Sequence, residues 1–158
     1  MIDSSGFRAG VGAILVNKNR ELFWAKRTRQ KNAWQFPQGG LMEGESPVEA
    51  LYRELYEEIG LLPEDIRILA ESKQWLSYRL PKNLLRRHSL PLVTGQNLLF
   101  YLLELVSDED HVCFDRTNTP EFTSFRWVNY WHPLKEVIAF KRHVYHKALN
   151  EFSPILFP

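Results

Sequence analysis

The sequence predicts an α+β fold, a sheet lying between helices, and three observations predict it. A segment rich in β-branched residues over 11–16 is followed by a polar turn and a second apolar run. A capped amphipathic helix spans Pro47–Ile59. Several further strand-like runs lead into a C-terminal stretch of helical periodicity.

The elements follow in order. Residues 11–16 read as a strand, Asn17-Lys18-Asn19-Arg20-Glu21 as a turn, and residues 22–25 as the next strand. Residues 34–36 form a third strand, stopped by Pro37 and the Gly39-Gly40 pair. Ser46 caps the helix, Pro47 suits its first position, and Glu49 three residues on completes a capping box. Gly60 ends it. Val48, Leu51, Leu55 and Ile59 share one face, so this helix packs on something. Residues 66–75, 98–106 and 125–128 read as strands. Residues 134–149 read as a helix through Leu134, Val137, Ile138, Val144, Tyr145 and Ala148. The one long connector, 80–95, contains Pro81 and Pro91, and long loops in small domains are often functional.

With 158 residues the chain predicts a single domain, 1–158, that buries about two-thirds of its unfolded surface. Twenty Lys and Arg balance 19 Asp and Glu, so the formal charge of +1 predicts no bulk attraction to nucleic acid or membrane. Cys113 has no intrachain partner, and residues 1–6 lack the apolar core of a signal peptide, so a cytoplasmic setting is expected. Residues 98–106 are too few to span a bilayer and carry Glu104.

The helix carries an electrostatic conflict. Glu54, Glu57 and Glu58 stand at i, i+3 and i+4, crowding like charges beside the apolar stripe. They also lie in the last two turns, where the macrodipole favours cations. No lysine or arginine between residues 59 and 66 relieves them. One reading is a solvated acidic face, eased by Arg53 at i+4 to Glu57. The other is a hard divalent cation, which wants oxygen ligands and keeps waters that a phosphate can replace.

Reading outward, Gly39, five residues, Glu45, seven residues, then Arg53-Glu54-Leu55-Tyr56-Glu57-Glu58-Ile59-Gly60-Leu61 resembles the Nudix box at every defined position. The resemblance implies a Nudix fold, a mixed sheet sandwiched between helices, with the box as loop, helix and loop. It implies a Mg²⁺-dependent hydrolase of phosphoanhydride bonds, with Mn²⁺ or Zn²⁺ as substitutes. Glu54, Glu57 and Glu58 are then metal ligands, and one of them, or a loop glutamate, is the general base, Glu54 being favoured. Arg53 orients the glutamates and Glu45 ties the loop to the helix. Gly39 and Gly40 allow close backbone approach to a metal or phosphate, the alternative being a plain turn.

Beyond the box the chain resembles the bacterial RNA 5′-pyrophosphohydrolases and their dinucleoside polyphosphate hydrolase relatives. The carriers are Gly6-Phe7-Arg8, Trp34-Gln35-Phe36-Pro37-Gln38-Gly39-Gly40, Tyr78-Arg79-Leu80-Pro81-Lys82, Gly95-Gln96, Thr119-Pro120-Glu121-Phe122 and Phe140-Lys141-Arg142. This resemblance implies Arg8, Arg27 and Lys141 on the 5′ phosphates, Gln96 and Phe140 near a base, and Glu121 as a fourth carboxylate at the metals. There are two departures: Asn97, Leu98 and Leu99 stand where lysines are expected, and the chain ends at Pro158 without a tail.

Unaided, the residues add two basic clusters. Lys73, Arg79, Lys82, Arg86 and Arg87 lie in an acid-free stretch with Trp75 and Tyr78, and Lys26, Arg27, Arg29 and Lys31 form the second. Cations interleaved with aromatics hold single-stranded nucleic acid by phosphate neutralisation and stacking, although a solubilising loop has the same composition. Counted from Leu134, Lys141 falls inside the apolar stripe and is expected to point at an anionic site, unless the helix begins later and leaves it exposed. Phe140 falls off that stripe, as a ring free to stack. Three functions are carried forward: removal of pyrophosphate from 5′-triphosphorylated RNA to promote mRNA decay, asymmetric hydrolysis of diadenosine tetra- or pentaphosphate, and non-catalytic binding of RNA ends or a protein.

Overall fold

Strand β1 (Phe7–Val16) is the axis of a mixed sheet, paired in parallel over ten residues with β7 (Gly95–Leu105). The computed structural model describes residues 1–30, 32–88 and 91–158. Among these, eight strands form one sheet whose main path runs β3 (Trp34–Gln35), β2 (Leu22–Arg27), β1, β7, β5 (Ile66–Glu71). Three strands pair off that path: β4 (Gln38–Gly40) with β1, β6 (Leu76–Arg79) with β7, and β8 (Phe122–Val128) with β2.

Alternation along β1 explains the layers. Ile14 and Val16 point to one core, with Trp24, Phe100, Leu102 and the buried face of α3 (Arg142–Leu156). Val11, Ala13 and Leu15 point to the other, with Ala50, Leu51, Leu55 and Ile59 of α1 (Pro47–Ile59). The sheet is therefore sandwiched between α1 and α3. The capping box at Ser46 and Glu49 is formed, and Gly60 closes α1 at φ 74°, a left-handed conformation that glycine adopts without a Cβ penalty.

Several boundaries differ from the sequence reading. Gly39-Gly40 is not a stop: it pairs with β1 at Val11 and Gly10. Val48 is 38% exposed, because the apolar face of α1 begins at Ala50. The strand expected over 66–75 ends at Glu71 as β5, and β6 follows only at Leu76; both are antiparallel to β7, and between them the Ser72 hydroxyl accepts the Phe100 amide at 3.0 Å. The single helix expected over 134–149 is three pieces: α2 (Pro133–Glu136), a 3₁₀ turn Ala139–Lys141, and α3, which continues to Leu156 through Pro154 in its last turn. None of the described helices is long and apolar enough to cross a membrane.

Candidate active site

The acidic half of the site is built by α1. Glu58 is buried, Glu54 keeps 14% of its side chain exposed, and Glu57 keeps 39%. Burial pushes the Glu58 carboxyl well above its ordinary range, and the charge of Glu54 beside it pushes the same way. Burial also raises Glu54, against the pull of Arg53. Among the described residues Glu58 Oε2 has no hydrogen-bond partner, an orphaned acceptor of the kind that native interiors rarely leave.

Arg53 organises what surrounds these acids. Its Nε and Nη2 donate to both oxygens of Glu45 at 2.7 and 2.9 Å, and Nη2 also donates to the Gly40 carbonyl at 2.7 Å. Its Nη1 donates to Glu54 Oε1 at 2.7 Å and Glu57 Oε2 at 3.3 Å. Glu45 Oε1 further accepts the Met42 amide at 2.9 Å. One guanidinium thus ties the β4–α1 loop to the two acids. The pairing holds the Glu45 carboxyl at about 2, and Glu45 first, then Glu54, raises Arg53.

The cationic half comes from other elements. Arg8 and Gln96 are register partners across β1 and β7, so they stand side by side on one face. The Arg8 side chain crosses Gly40: a β-carbon there would lie 2.2 Å from Arg8 Nε. Arg27 leaves β2 at a register shift and donates to Gln30 Oε1 at 3.2 Å. Lys141 is 5% exposed, donates to Gln35 Oε1 at 2.9 Å and sits 5.7 Å from the Tyr78 ring. Burial brings its ammonium down to about 8, Arg27 adds to the effect, and Glu121 opposes it.

These residues meet in one cleft of about 960 Å³. Glu54, Glu57, Glu58 and Gly39 line it with Arg8, Arg27, Gln96, Glu121, Phe140 and Lys141, while Arg53 and Glu45 brace it from behind. Glu121 is exposed at the foot of β8, near enough for its charge to act on both Glu58 and Lys141.

Three placements differ from the sequence reading. Lys141 is buried, yet by the 3₁₀ turn before α3 and not by a helical stripe, because the helix begins only at Arg142. Phe140 is half-buried and tilted against Tyr78 at 5.7 Å, so its ring is not free-standing. Tyr78 belongs to the α3-side core, with its hydroxyl accepting from Gln38 Nε2 at 2.9 Å, and is not a surface stacking residue. Lys31, assigned to the second basic cluster, lies outside the described residues.

Among the described residues no three Asp, Glu, His or Cys side chains converge on one point as a finished cage. Arg53 draws Glu54 and Glu57 toward itself. The donor set nevertheless suits a hard divalent ion. It is all oxygen, it includes the orphaned Glu58 Oε2, and such an ion needs only one or two carboxylates when waters and phosphates complete its shell.

Residues 6–150 match the family model of the NUDIX domain. The chain belongs to the Nudix family. It is similar to the RNA pyrophosphohydrolase of Thioalkalivibrio sulfidiphilus, 54% identical over 158 residues that cover all of this chain and 91% of that one. The RNA pyrophosphohydrolase of Hahella chejuensis is 51% identical over 157 residues, 99% of this chain and 97% of that one. Among solved structures, the dihydroneopterin triphosphate pyrophosphohydrolase of E. coli superposes with a TM-score of 0.70 at 15% identity, covering 92% of this chain and 98% of that one. An Ap4A hydrolase of C. elegans gives 0.68 at 19%, covering 94% and 97%. At those identities the structural likeness shows the Nudix fold alone. As a Nudix hydrolase the chain is a pyrophosphohydrolase that works with a divalent metal.

Sequence reasoning overlooked part of this Nudix cleft. Gln35 is buried and holds Lys141, and Trp34, Thr117, Thr119 and Glu136 line the walls. The signal for Gln35 was available: an amide between Trp34 and Phe36 on a short strand needs a polar partner once buried. Glu136 carried little such signal: beside the local His132 at 3.0 Å, its partners are Trp24 Nε1 at 2.7 Å, 112 residues away, and Arg126.

Proposed function

We propose that residues 1–158 act as one Mg²⁺-dependent catalytic domain, cytoplasmic in setting, that removes pyrophosphate from 5′-triphosphorylated RNA. One observation carries this reading. A single cleft sets the carboxylates of Glu54, Glu57 and Glu58 against Arg8, Arg27 and Lys141, none of which is paired with an acid among the described residues. Such a cleft accepts a polyanion on one side and a divalent cation on the other.

Glu54, Glu57 and Glu58 would hold the ion, with Gly39 and Glu121, which line the same cleft, as further oxygen donors. When bound, Mg²⁺ offsets charge on the phosphoryl oxygens and lowers the pKa of water. Arg8, Arg27 and Lys141 hold the phosphate chain, and Gln96 and Phe140 orient the first nucleoside. Water adds to the α-phosphorus as the α–β anhydride bond breaks. Its proton passes to Glu54 Oε2, the oxygen that Arg53 leaves free. Burial favours this role, because it raises the carboxyl toward neutral pH. Pyrophosphate and a 5′-monophosphate end leave, and the monophosphate end admits decay nucleases.

RNA is preferred over a dinucleoside polyphosphate because relatives about half identical over the whole chain bear the name RNA pyrophosphohydrolase. The departure at residues 97–99 does not touch the cleft. Asn97 accepts from Ser77 Oγ at 3.0 Å, and Leu98 and Leu99 are buried in the two cores. The second reading, hydrolysis of diadenosine tetra- or pentaphosphate, uses the same carboxylates.

The test compares catalytic efficiency on triphosphorylated RNA and on diadenosine pentaphosphate, with Mg²⁺ present and then chelated. Pyrophosphate and monophosphorylated RNA are expected only with the ion, and a clear preference for the dinucleotide overturns the RNA reading. Glu57→Ala is expected to abolish turnover with the fold retained; unchanged turnover removes the metal assignment.

A further inference from the structure

The positive charge of the chain is concentrated beside the cleft. Between residues 72 and 103 stand Lys73, Arg79, Lys82, Arg86 and Arg87 with no acid. The rest of the chain carries 15 Lys and Arg against 19 Asp and Glu, a net of −4. The connector from β6 to β7 that holds three of these cations has a fixed base. The Leu80 amide donates to Thr94 O at 2.9 Å and the Thr94 amide to Gly6 O at 2.8 Å. The Thr94 hydroxyl donates to Ser5 O at 2.7 Å. Lys82–Leu84 is a 3₁₀ turn, and Leu80, Leu84 and Arg86 form one wall of the cleft.

The pairing of charges is uneven. Arg53, Arg67 and Arg126 each meet a carboxylate. Among the described residues Lys82, Arg86 and Arg87 are exposed and meet none. A polyanion held in the cleft by its 5′ end therefore meets unpaired cations where it passes this rim.

We infer that the RNA chain beyond the nucleotides in the cleft leaves over the 80–88 rim, its backbone phosphates resting on Lys82, Arg86 and Arg87. This rests on the RNA reading above and adds a second, sequence-independent contact to it. Three phosphate contacts on a single strand give a salt slope of about −2 in log–log terms, roughly 0.7 per contact. A dinucleoside polyphosphate that fills the cleft can meet Arg86, which lines it, but not Lys82 or Arg87, which lie outside that lining. The rim therefore favours long RNA over small dinucleotides.

The experiment measures kcat/KM on a 5′-triphosphorylated dinucleotide and on an unstructured triphosphorylated RNA of about 20 nucleotides, several times longer than the cleft and rim together. Both are measured across a salt series, for the wild type and for Lys82→Gln/Arg87→Gln, which alters two exposed side chains outside the cleft lining. The wild type is expected to prefer the long RNA by about tenfold at low salt, through KM. The variant loses most of that preference, its salt slope shrinks by about 1.4, and it changes less than about twofold on the dinucleotide. Equal wild-type efficiency on both lengths overturns the track, as does an equal loss on both in the variant. If instead diadenosine pentaphosphate is cleaved and neither RNA is, the RNA reading itself has failed and the track fails with it.

Discussion

The Glu54 carboxylate occupies the space that a side chain on Gly39 would need: a β-carbon there would lie 2.0 Å from Glu54 Cδ and 2.3 Å from each carboxylate oxygen. The two residues come from different elements, β4 and α1, and Arg53 holds both ends by bonding Gly40 O and Glu54 Oε1. Glycine is needed here for the passage of the Glu54 side chain, because the backbone itself is ordinary strand. Gly39→Ala is therefore expected to displace Glu54 while leaving the sheet intact. Turnover should fall by about 10²-fold or more, the scale for losing a positioned base, with far-UV circular dichroism unchanged. Retained activity would show that Glu54 has no fixed role.

Lys141 should reveal itself in two opposite measurements. Its folded value is depressed to about 8, so the charged form is disfavoured below that pH by about 3 kcal/mol. The sign follows from proton binding. Between about 8 and the unfolded value the unfolded chain holds the proton and the folded chain does not, so this group makes stability rise with pH. Lys141→Met should stabilise the ligand-free protein at pH 7 by about 1 to 3 kcal/mol, less whatever Gln35 loses as an acceptor. The same change should raise KM and abolish the wild type's loss of substrate affinity above about pH 8. A variant that is destabilised and keeps wild-type KM would place Lys141 among structural residues.

How much of this was legible depended on whether the signal was local. The caps of α1, the acid spacing at 54, 57 and 58, and the loop residues Gly39 and Glu45 lie within 22 residues of one another and could be read directly. The cationic half was only partly legible: the residues alone pointed to the cluster around Arg27 and to Lys141, but Arg8 and the meeting of all three came through resemblance, because they converge by strand register and by the turn before α3. Periodicity failed over 134–149 because Val137, just past the end of α2, and Val144, in α3, are both buried, which mimics one stripe. Strand β4 was missed because glycines carry no β-propensity, and its pairing is set by β1 across the sheet.

Glu45 should contribute to acid sensitivity. Arg53 holds its carboxyl at about 2, below the unfolded value, so the contribution is present above about pH 4.5 and is lost as pH falls through about 2. Glu45→Gln should cost about 1 to 2 kcal/mol at pH 7, allowing for screening at the loop surface, and progressively less as pH drops from 5 toward 3. Turnover should fall at least about tenfold, since Arg53 loses the anchor that fixes the loop against Glu54. Urea unfolding at pH 7 and pH 3 checks the first part; a pH-independent penalty would assign it to packing.

Glu58 is expected to couple the fold to a divalent ion. Burial and the neighbouring Glu54 raise its carboxyl, so the folded state keeps a proton that the unfolded state gives up. The unfolded chain then binds fewer protons, and this group lowers stability as pH rises from its unfolded value, about 4.5, through its raised folded value. A divalent ion binding the ionised site reverses that cost. The wild-type melting temperature should therefore rise on adding Mg²⁺, and rise more at pH 8 than at pH 5.5. Glu58→Gln should be more stable than wild type in chelator at pH 8, should gain little from Mg²⁺, and should lose turnover. Thermal melts of both proteins, with Mg²⁺ and with chelator at the two pH values, decide it. A variant less stable than wild type in chelator at pH 8 would mean that the buried carboxylate is already matched by the protein and needs no ion.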